Sequence, residues 1–165
     1  VLDLGTGSGA IGLSLAKERA NWEVVCSDLS YEALKVTSKN MTRNSLDVSL
    51  VNSNWSSAFK NEYFDVIVSN PPYINPSDPR VYSDGLKFEP KQALISDSEG
   101  LYDIETIVKE TSEILNNAGY LFIEHGYDQS DLVVSIFETY GFSQIRTFKD
   151  LNGDDRVCLG MINRC

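Results

Sequence analysis

Phe64-Asp65-Val66-Ile67-Val68-Ser69-Asn70-Pro71-Pro72-Tyr73 decides the fold. Its first six residues are a short apolar run of the kind that forms a buried parallel strand. Two consecutive prolines can neither extend a strand nor donate ladder hydrogen bonds. Asn70 to Tyr73 therefore stand at the strand's carboxyl end, the edge at which open α/β sheets bind ligands. Asn70 offers a carbonyl acceptor and an NH2 donor, the proline-fixed backbone leaves carbonyls free of local bonding, and Tyr73 adds a flat aromatic face. Together they suit a planar, nitrogen-bearing group.

Outward from this stretch, strand-like and helix-like segments alternate. Leu2 to Leu4 ends a first strand, Ala10 to Arg19 reads as a helix, Glu23 to Ser27 as a strand, and Tyr31 to Arg43 as a helix with Ser30 as N-cap. Val48 to Val51 is a third strand. After the fourth strand, Leu101 to Asn116 places Ile104, Ile107, Val108, Thr111 and Leu115 on one helical face, and Tyr120 to Glu124 is a fifth strand. Asp128 to Tyr140 is a helix with an apolar stripe of Leu132, Val133, Ile136, Phe137 and Tyr140. Phe142 to Phe148 and Arg156 to Met161 close the chain as strands around Asn152-Gly153, an antiparallel pair. The alternation implies an α/β, doubly wound, mostly parallel sheet with both faces covered. A closing antiparallel pair separates a methyltransferase-type sheet from a dehydrogenase-type one. The irregular stretch from Asn70 to Gly100 holds all five prolines, and structureless segments of that length in compact domains are usually functional. It reads as a substrate-facing lid.

The 165 residues and 42% apolar content suit one domain with a sizeable core. Because the chain opens on a strand end, it is expected to be truncated at its N-terminus. No stretch of 18 apolar residues and no opening signal-peptide pattern is present, so no membrane association is expected. Three cysteines, Cys26, Cys158 and Cys165, with no CxxC spacing argue against a disulfide framework or metal site and fit a reducing, cytoplasmic setting. Cys26 and Cys158 read as buried strand residues. The formal charge is −10, and the acids crowd between Asp97 and Glu138. A phosphate-tracking protein normally carries a basic stripe, so the balance lowers the prospect of a nucleic-acid partner.

Asp3-Leu4-Gly5-Thr6-Gly7-Ser8-Gly9-Ala10-Ile11-Gly12 joins the first strand to the first helix. Gly7, Gly9 and Gly12 satisfy GxGxxG, which by itself suggests a pyrophosphate on a helix N-terminus. The bland alternative is a tight turn without a ligand. Asp28, ending the second strand, can accept hydrogen bonds from both hydroxyls of a ribose; its bland alternative is a helix cap. Asp3 discriminates between cofactors. An acid just before the turn repels pyrophosphate but suits an ammonium group, which favours S-adenosylmethionine, whose amino-acid end replaces the phosphates. Asn54 and Trp55 follow the third strand and can bracket an adenine, although Trp55 serves equally well as a core or rim aromatic.

These features resemble the class I S-adenosylmethionine-dependent methyltransferases, and within them the protein glutamine N5-methyltransferases of peptide chain release factors. The resemblance rests on Asp3 to Gly9, on Asn70-Pro71-Pro72-Tyr73 with Ile74, and on Phe88-Glu89-Pro90 followed by Ala93-Leu94. It extends through Asp97 with Gly100-Leu101, Glu124-His125-Gly126, and Asp150 with Gly153 and Arg156-Val157. It implies a seven-stranded sheet of order 3-2-1-4-5-7-6 and an upstream helical domain that grips the release factor, expected to be absent from this truncated sequence. It implies cofactor contacts from Asp3, Gly5, Thr6, Gly7, Gly9, Asp28, Asn54, Trp55 and Asn70, and substrate contacts from Asn70, Pro71, Pro72 and Tyr73. One departure is Asn54, where the family commonly has Asp; its carbonyl can still accept from an adenine amino group, with altered affinity.

An amide nitrogen is a poor nucleophile because its lone pair is delocalised. In this reading the Asn70 side-chain oxygen and the Pro71 carbonyl accept the two N–H bonds of a glutamine amide and aim its nitrogen, while Tyr73 packs on the amide and excludes water. Asn70 as a turn cap and Tyr73 as a lid anchor are the bland readings. Glu89 and His125 suggest acid-base chemistry, but the Glu-His-Gly setting fits loop structure at least as well. Arg156 with Asp150 reads as a structural ion pair. The competing functions are N6-adenine or N2-guanine methylation of nucleic acid, cofactor binding without turnover, and a nicotinamide dehydrogenase.

Overall fold

The computed structural model describes residues 1–59, 64–78, 90 and 93–163. Phe88, Glu89 and Cys165 lie outside these residues. The elements are β1 (Leu2–Leu4), α1 (Ala10–Glu18), β2 (Val25–Asp28), α2 (Tyr31–Arg43), β3 (Ser49–Asn52) and β4 (Phe64–Ser69). They continue with the short turn α3 (Asp97–Gly100), then α4 (Tyr102–Ile114), β5 (Leu115–Glu124), α5 (Ser130–Thr139), β6 (Phe142–Lys149) and β7 (Asp155–Ile162). The strands form one sheet of order β3-β2-β1-β4-β5-β7-β6, parallel except for the two antiparallel pairings that β7 makes. This is the order that the resemblance implies.

Alternation along the strands sorts residues to the two faces. Leu2, Leu4, Ile67, Leu121 and Ile123 join Ile104, Ile107 and Val108 of α4 and Val133 and Phe137 of α5 in the main core. Each fully buried aliphatic side chain there contributes about 1.5–3 kcal/mol. Cys26 faces the other way, with Leu13 of α1 and, beside it, Met41 of α2, in a smaller cluster. Burial pushes the Cys26 thiol up to about 11 and that of Cys158 up to about 12, so both stay protonated and serve as core residues.

Three expectations need correction. The helix predicted to Asn116 stops at Ile114, and Leu115 already pairs with Phe64 in β5. Asn116 donates to the Asp65 carboxylate at 2.7 Å and Ala118 takes a φ of 62°, so the poor helix formers Asn116 and Asn117 become a bulge. Leu132 is half-exposed, because α5 turns its Val133 and Phe137 edge to the sheet. Among the described residues the expected cover of both faces by helices is met only in part. Val66, Val68, Tyr120, Phe122, Val157 and Leu159, beside Ile11, Leu15 and Trp22, line an open apolar cavity of about 480 Å³. No helix among the described residues is long and apolar enough to cross a membrane.

Candidate functional site

Register brings the predicted residues to one rim. Leu4 pairs with Ser27 on one side and Ser69 on the other, Asp28 pairs with Asn52, and Ser69 pairs with Ile123. Gly5, Asp28, Asn52, Asn70 and Glu124 therefore stand level at the carboxyl edge, on adjacent strands about 4.8 Å apart. Ser69 Oγ, donating to the Leu4 carbonyl at 2.8 Å, ties the two central rows together.

The glycine turn is held from three sides. Asp28 accepts from Gly7 N at 2.9 Å through Oδ2 and from Ser30 N at 2.8 Å through Oδ1. Ser30 caps α2, as expected, by accepting from Ala33 N. Thr37 Oγ1 donates to the Gly7 carbonyl at 2.9 Å and Asn40 Nδ2 to the Ser8 carbonyl at 2.8 Å. Asp28 thus serves as a brace for the turn while each carboxylate oxygen keeps further lone pairs for a ligand. The cradle itself is open, since Gly7, at φ 57°, has nothing within 4 Å of where a Cβ would stand.

Asp3 is 1% exposed and lies beneath the turn. Its Oδ2 accepts from Thr6 Oγ1 at 2.5 Å and from Gly12 N at 2.8 Å. The N-cap of α1 is Gly9, which has no side chain, so Asp3 supplies from β1 the acceptor that the helix start lacks. Burial raises the Asp3 carboxyl, the Thr6 and Gly12 hydrogen bonds oppose that, and the Asp28 charge adds to it, leaving it above the ordinary carboxylate value. A carboxylate at a helix N-terminus occupies the position a pyrophosphate needs and favours a cationic group instead. Its role in the structure is to brace the turn.

Asn54 is exposed and Trp55 half-buried, with Trp55 at φ 43° and its ring against Gly5. The ring also packs on the main core, as the alternative of a core or rim aromatic expects. Glu110 of α4 fixes this loop, its Oε2 accepting from Ser56 N at 3.0 Å and Ser56 Oγ at 2.7 Å.

Asn70 is exposed, Pro71 is buried, and Pro72 and Tyr73 are partly covered. Tyr73 donates its hydroxyl to Glu124 Oε1 at 2.9 Å, and its ring packs against the main core. Burial first, then the Glu124 carboxylate, pushes the phenol up to about 12, so it remains a neutral donor. That geometry anchors the Tyr73 side chain at the rim. Ile74 N donates to the Leu94 carbonyl and Ser96 N to the Ile74 carbonyl, a short parallel bridge within the stretch expected to be irregular. His125 is fully buried. Its Nδ1 lies 2.8 Å from the Gly126 carbonyl, which can only accept, so Nδ1 carries the proton and the ring is part of the loop. Arg156 pairs with Asp150 as expected, Nε and Nη2 each 3.2 Å from Oδ2. Sequence reading missed Thr37, Asn40 and Glu110. Their only signal is a polar residue on an otherwise ordinary helix face.

Residues 1–84 match the family model of the methyltransferase small domain. The release factor glutamine methyltransferase of Buchnera aphidicola subsp. Schizaphis graminum is 45% identical over 97% of this chain, and that of Pseudomonas aeruginosa is 44% identical over the same share. The chain spans 58% of the length of each of these relatives. Among solved structures, a methyltransferase from Pyrococcus furiosus superposes with a TM-score of 0.75 at 19% identity, covering 99% of this chain and 74% of that one. The glycine turn, the rim of strand ends and a family match across half its length agree that the chain belongs to the methyltransferase small domain family.

Proposed function

We propose that this chain carries the catalytic part of an S-adenosylmethionine-dependent protein glutamine N5-methyltransferase, acting in the cytoplasm on the glutamine in the Gly-Gly-Gln loop of a peptide chain release factor. The observation that carries the reading is the rim, where exposed Asn70 leaves the sheet in the row next to the glycine turn. The relatives' shared name supports glutamine as the acceptor.

In this reading Asp28 accepts the ribose hydroxyls and Asn54 with Trp55 bounds the base; the open space at Gly7 and the Asp28 bond to the glycine turn support it. Asp3, charged beneath the α1 start, sets a potential that suits an ammonium and opposes phosphate. Bound there, S-adenosylmethionine supplies an electrophilic methyl group. Asn70 Oδ1 and the Pro71 carbonyl accept the two N–H bonds of the substrate amide, so its nitrogen is aimed by groups already in place. As positive charge grows on that nitrogen, both acceptors hold it more strongly than in the ground state, which is the differential binding that lowers a barrier. One proton then leaves the methylated amide to water, and the charge balances. Tyr73, pinned by Glu124, closes the side of the site away from the glycine turn.

The test is transfer of labelled methyl to intact release factor and to a variant whose loop glutamine is alanine. Label on the first alone is expected. Equal label on both sinks the glutamine assignment, and transfer to RNA or DNA with a steep salt dependence would replace it with nucleobase methylation. Cofactor binding without any transfer would leave a binding module.

A further inference from the structure

Gln129 stands just before α5, is 7% exposed, and has every hydrogen of its side-chain amide engaged. Its Nε2 donates to the Tyr73 carbonyl and to the Glu99 carbonyl, both at 3.1 Å, and its Oε1 accepts from Gly126 N at 2.7 Å. One side chain therefore joins three backbone segments that are far apart in sequence: the end of the Asn70 to Tyr73 stretch, the α3 turn and the loop after β5.

The α3 turn is unusual in itself. Ser98, Glu99 and Gly100 follow one another at φ 53°, 60° and 86°. Two side-chain-bearing residues in the left-handed region persist only where the surroundings over-determine them, and such strain collects at functional sites. Here it lets Gly100 press backbone to backbone on Tyr73, since a Cβ at Gly100 would run into the Tyr73 carbonyl. Gln129 bonds the carbonyl of the strained Glu99 and the carbonyl that Gly100 presses on. On the other flank the Ile74 bridge to Ile95 holds the next residue.

Only Pro72 separates Tyr73 from the Pro71 carbonyl, and only Pro71 and Pro72 separate it from Asn70; both rings fix φ. A displacement of Tyr73 is passed almost rigidly to the Pro71 carbonyl and Asn70. We propose that Gln129 is a positioning residue for methyl transfer: by clamping the Tyr73 carbonyl against the left-handed turn it sets where the two amide acceptors stand. This rests on the glutamine-methyltransferase reading given above.

Two variants separate the parts. Gln129→Glu keeps the size and the acceptor for Gly126 N but removes both donors; Gln129→Ala removes all three bonds. Misplacing reacting groups by about 1 Å costs on the order of 100-fold, so both variants are expected to lower kcat by roughly 10- to 100-fold. KM for S-adenosylmethionine and the dissociation constant of S-adenosylhomocysteine should stay within about twofold, because the glycine turn makes no bond to Gln129. Amide hydrogen exchange provides a readout that needs no turnover. Peptides spanning residues 70–76 and 96–101 should exchange faster in Gln129→Glu while those spanning 3–12 do not. Unchanged kcat, or cofactor affinity falling in step with kcat and faster exchange throughout the chain, overturns the proposal. If the wild-type protein moves no methyl to release factor, the function reading fails by itself. The exchange pattern then still decides the clamp, confined acceleration supporting it and no change overturning it.

Discussion

The glycine turn and the Asn70 to Tyr73 segment sit side by side on one rim, yet they are built in opposite ways. Asp3, Asp28, Thr37 and Asn40 hold the turn, all within the first 40 residues and one strand-helix-strand-helix unit. The second segment is held by Glu124, Gln129 and the α3 turn, across 51 and 56 residues of sequence for the two side chains. A site made of one local and one long-range half can lose chemistry while keeping its cofactor, because each half is held by its own set of side chains.

The sharpest separation is Asn70→Ala. Removing one preorganised group that acts on developing charge costs about 100- to 1000-fold in kcat. In the proposed site Asn70 also borders the cofactor, so affinity for S-adenosylhomocysteine should fall only a few-fold, and Tm should barely move because the side chain is exposed. Steady-state kinetics beside calorimetry measures both; equal losses in binding and turnover would show that the two halves are one unit. Asp28→Ala attacks the other half. Hydrogen bonds to a charged group are worth about 1.5–3 kcal/mol, which corresponds to roughly 10- to 100-fold weaker cofactor binding. With cofactor at saturation, kcat should recover to near the wild-type value, and a kcat that stays low would contradict the division. Gly100→Ala strikes the long-range half from a distance. Its φ of 86° and the close Tyr73 carbonyl predict a stability loss of about 1–3 kcal/mol, read as a lower urea midpoint, with cofactor affinity retained.

The same contrast explains what could be read from the residues alone. Glycines and an acid at fixed offsets announce the turn, and alternating apolar strands with Asn152-Gly153 between the last two announce the sheet, because each signal is local. The bulge at Asn116 to Gly119 was illegible: the apolar spacing that carries α4 runs on into Leu115, and only pairing with Phe64 makes Leu115 a strand residue. The half-exposure of Leu132 follows from how α5 rolls on the sheet. Tyr73 was read for its aromatic face, whereas its hydroxyl is fixed by a carboxylate 51 residues on. Gln129 gave no signal, since a glutamine before a helix is unremarkable until its partners fold around it.

The smallest expected effect tests whether the local half is built for stability or for its ligand. The Asp3 carboxyl is raised above 3.8 in the fold, chiefly by burial, so the folded chain holds that proton to higher pH than the unfolded chain does. Its contribution is therefore fully present in acid, below the ordinary carboxylate value, and is lost as pH rises through the raised one. At neutral pH the ionised group is a net cost. Asp3→Asn removes that cost while its carbonyl can still accept from Gly12 N or Thr6 Oγ1. The variant should be at least as stable as wild type at pH 7, with a flatter stability profile on the alkaline side of 3.8. Its charge at the α1 start is worth about 0.3–1 kcal/mol to a nearby cation, so S-adenosylhomocysteine should bind about two- to fivefold more weakly. Thermal unfolding across pH, beside calorimetry, reads both quantities. A variant that is less stable and binds unchanged would mean that Asp3 is there for the turn alone, and that the preference for an ammonium comes from elsewhere on the rim.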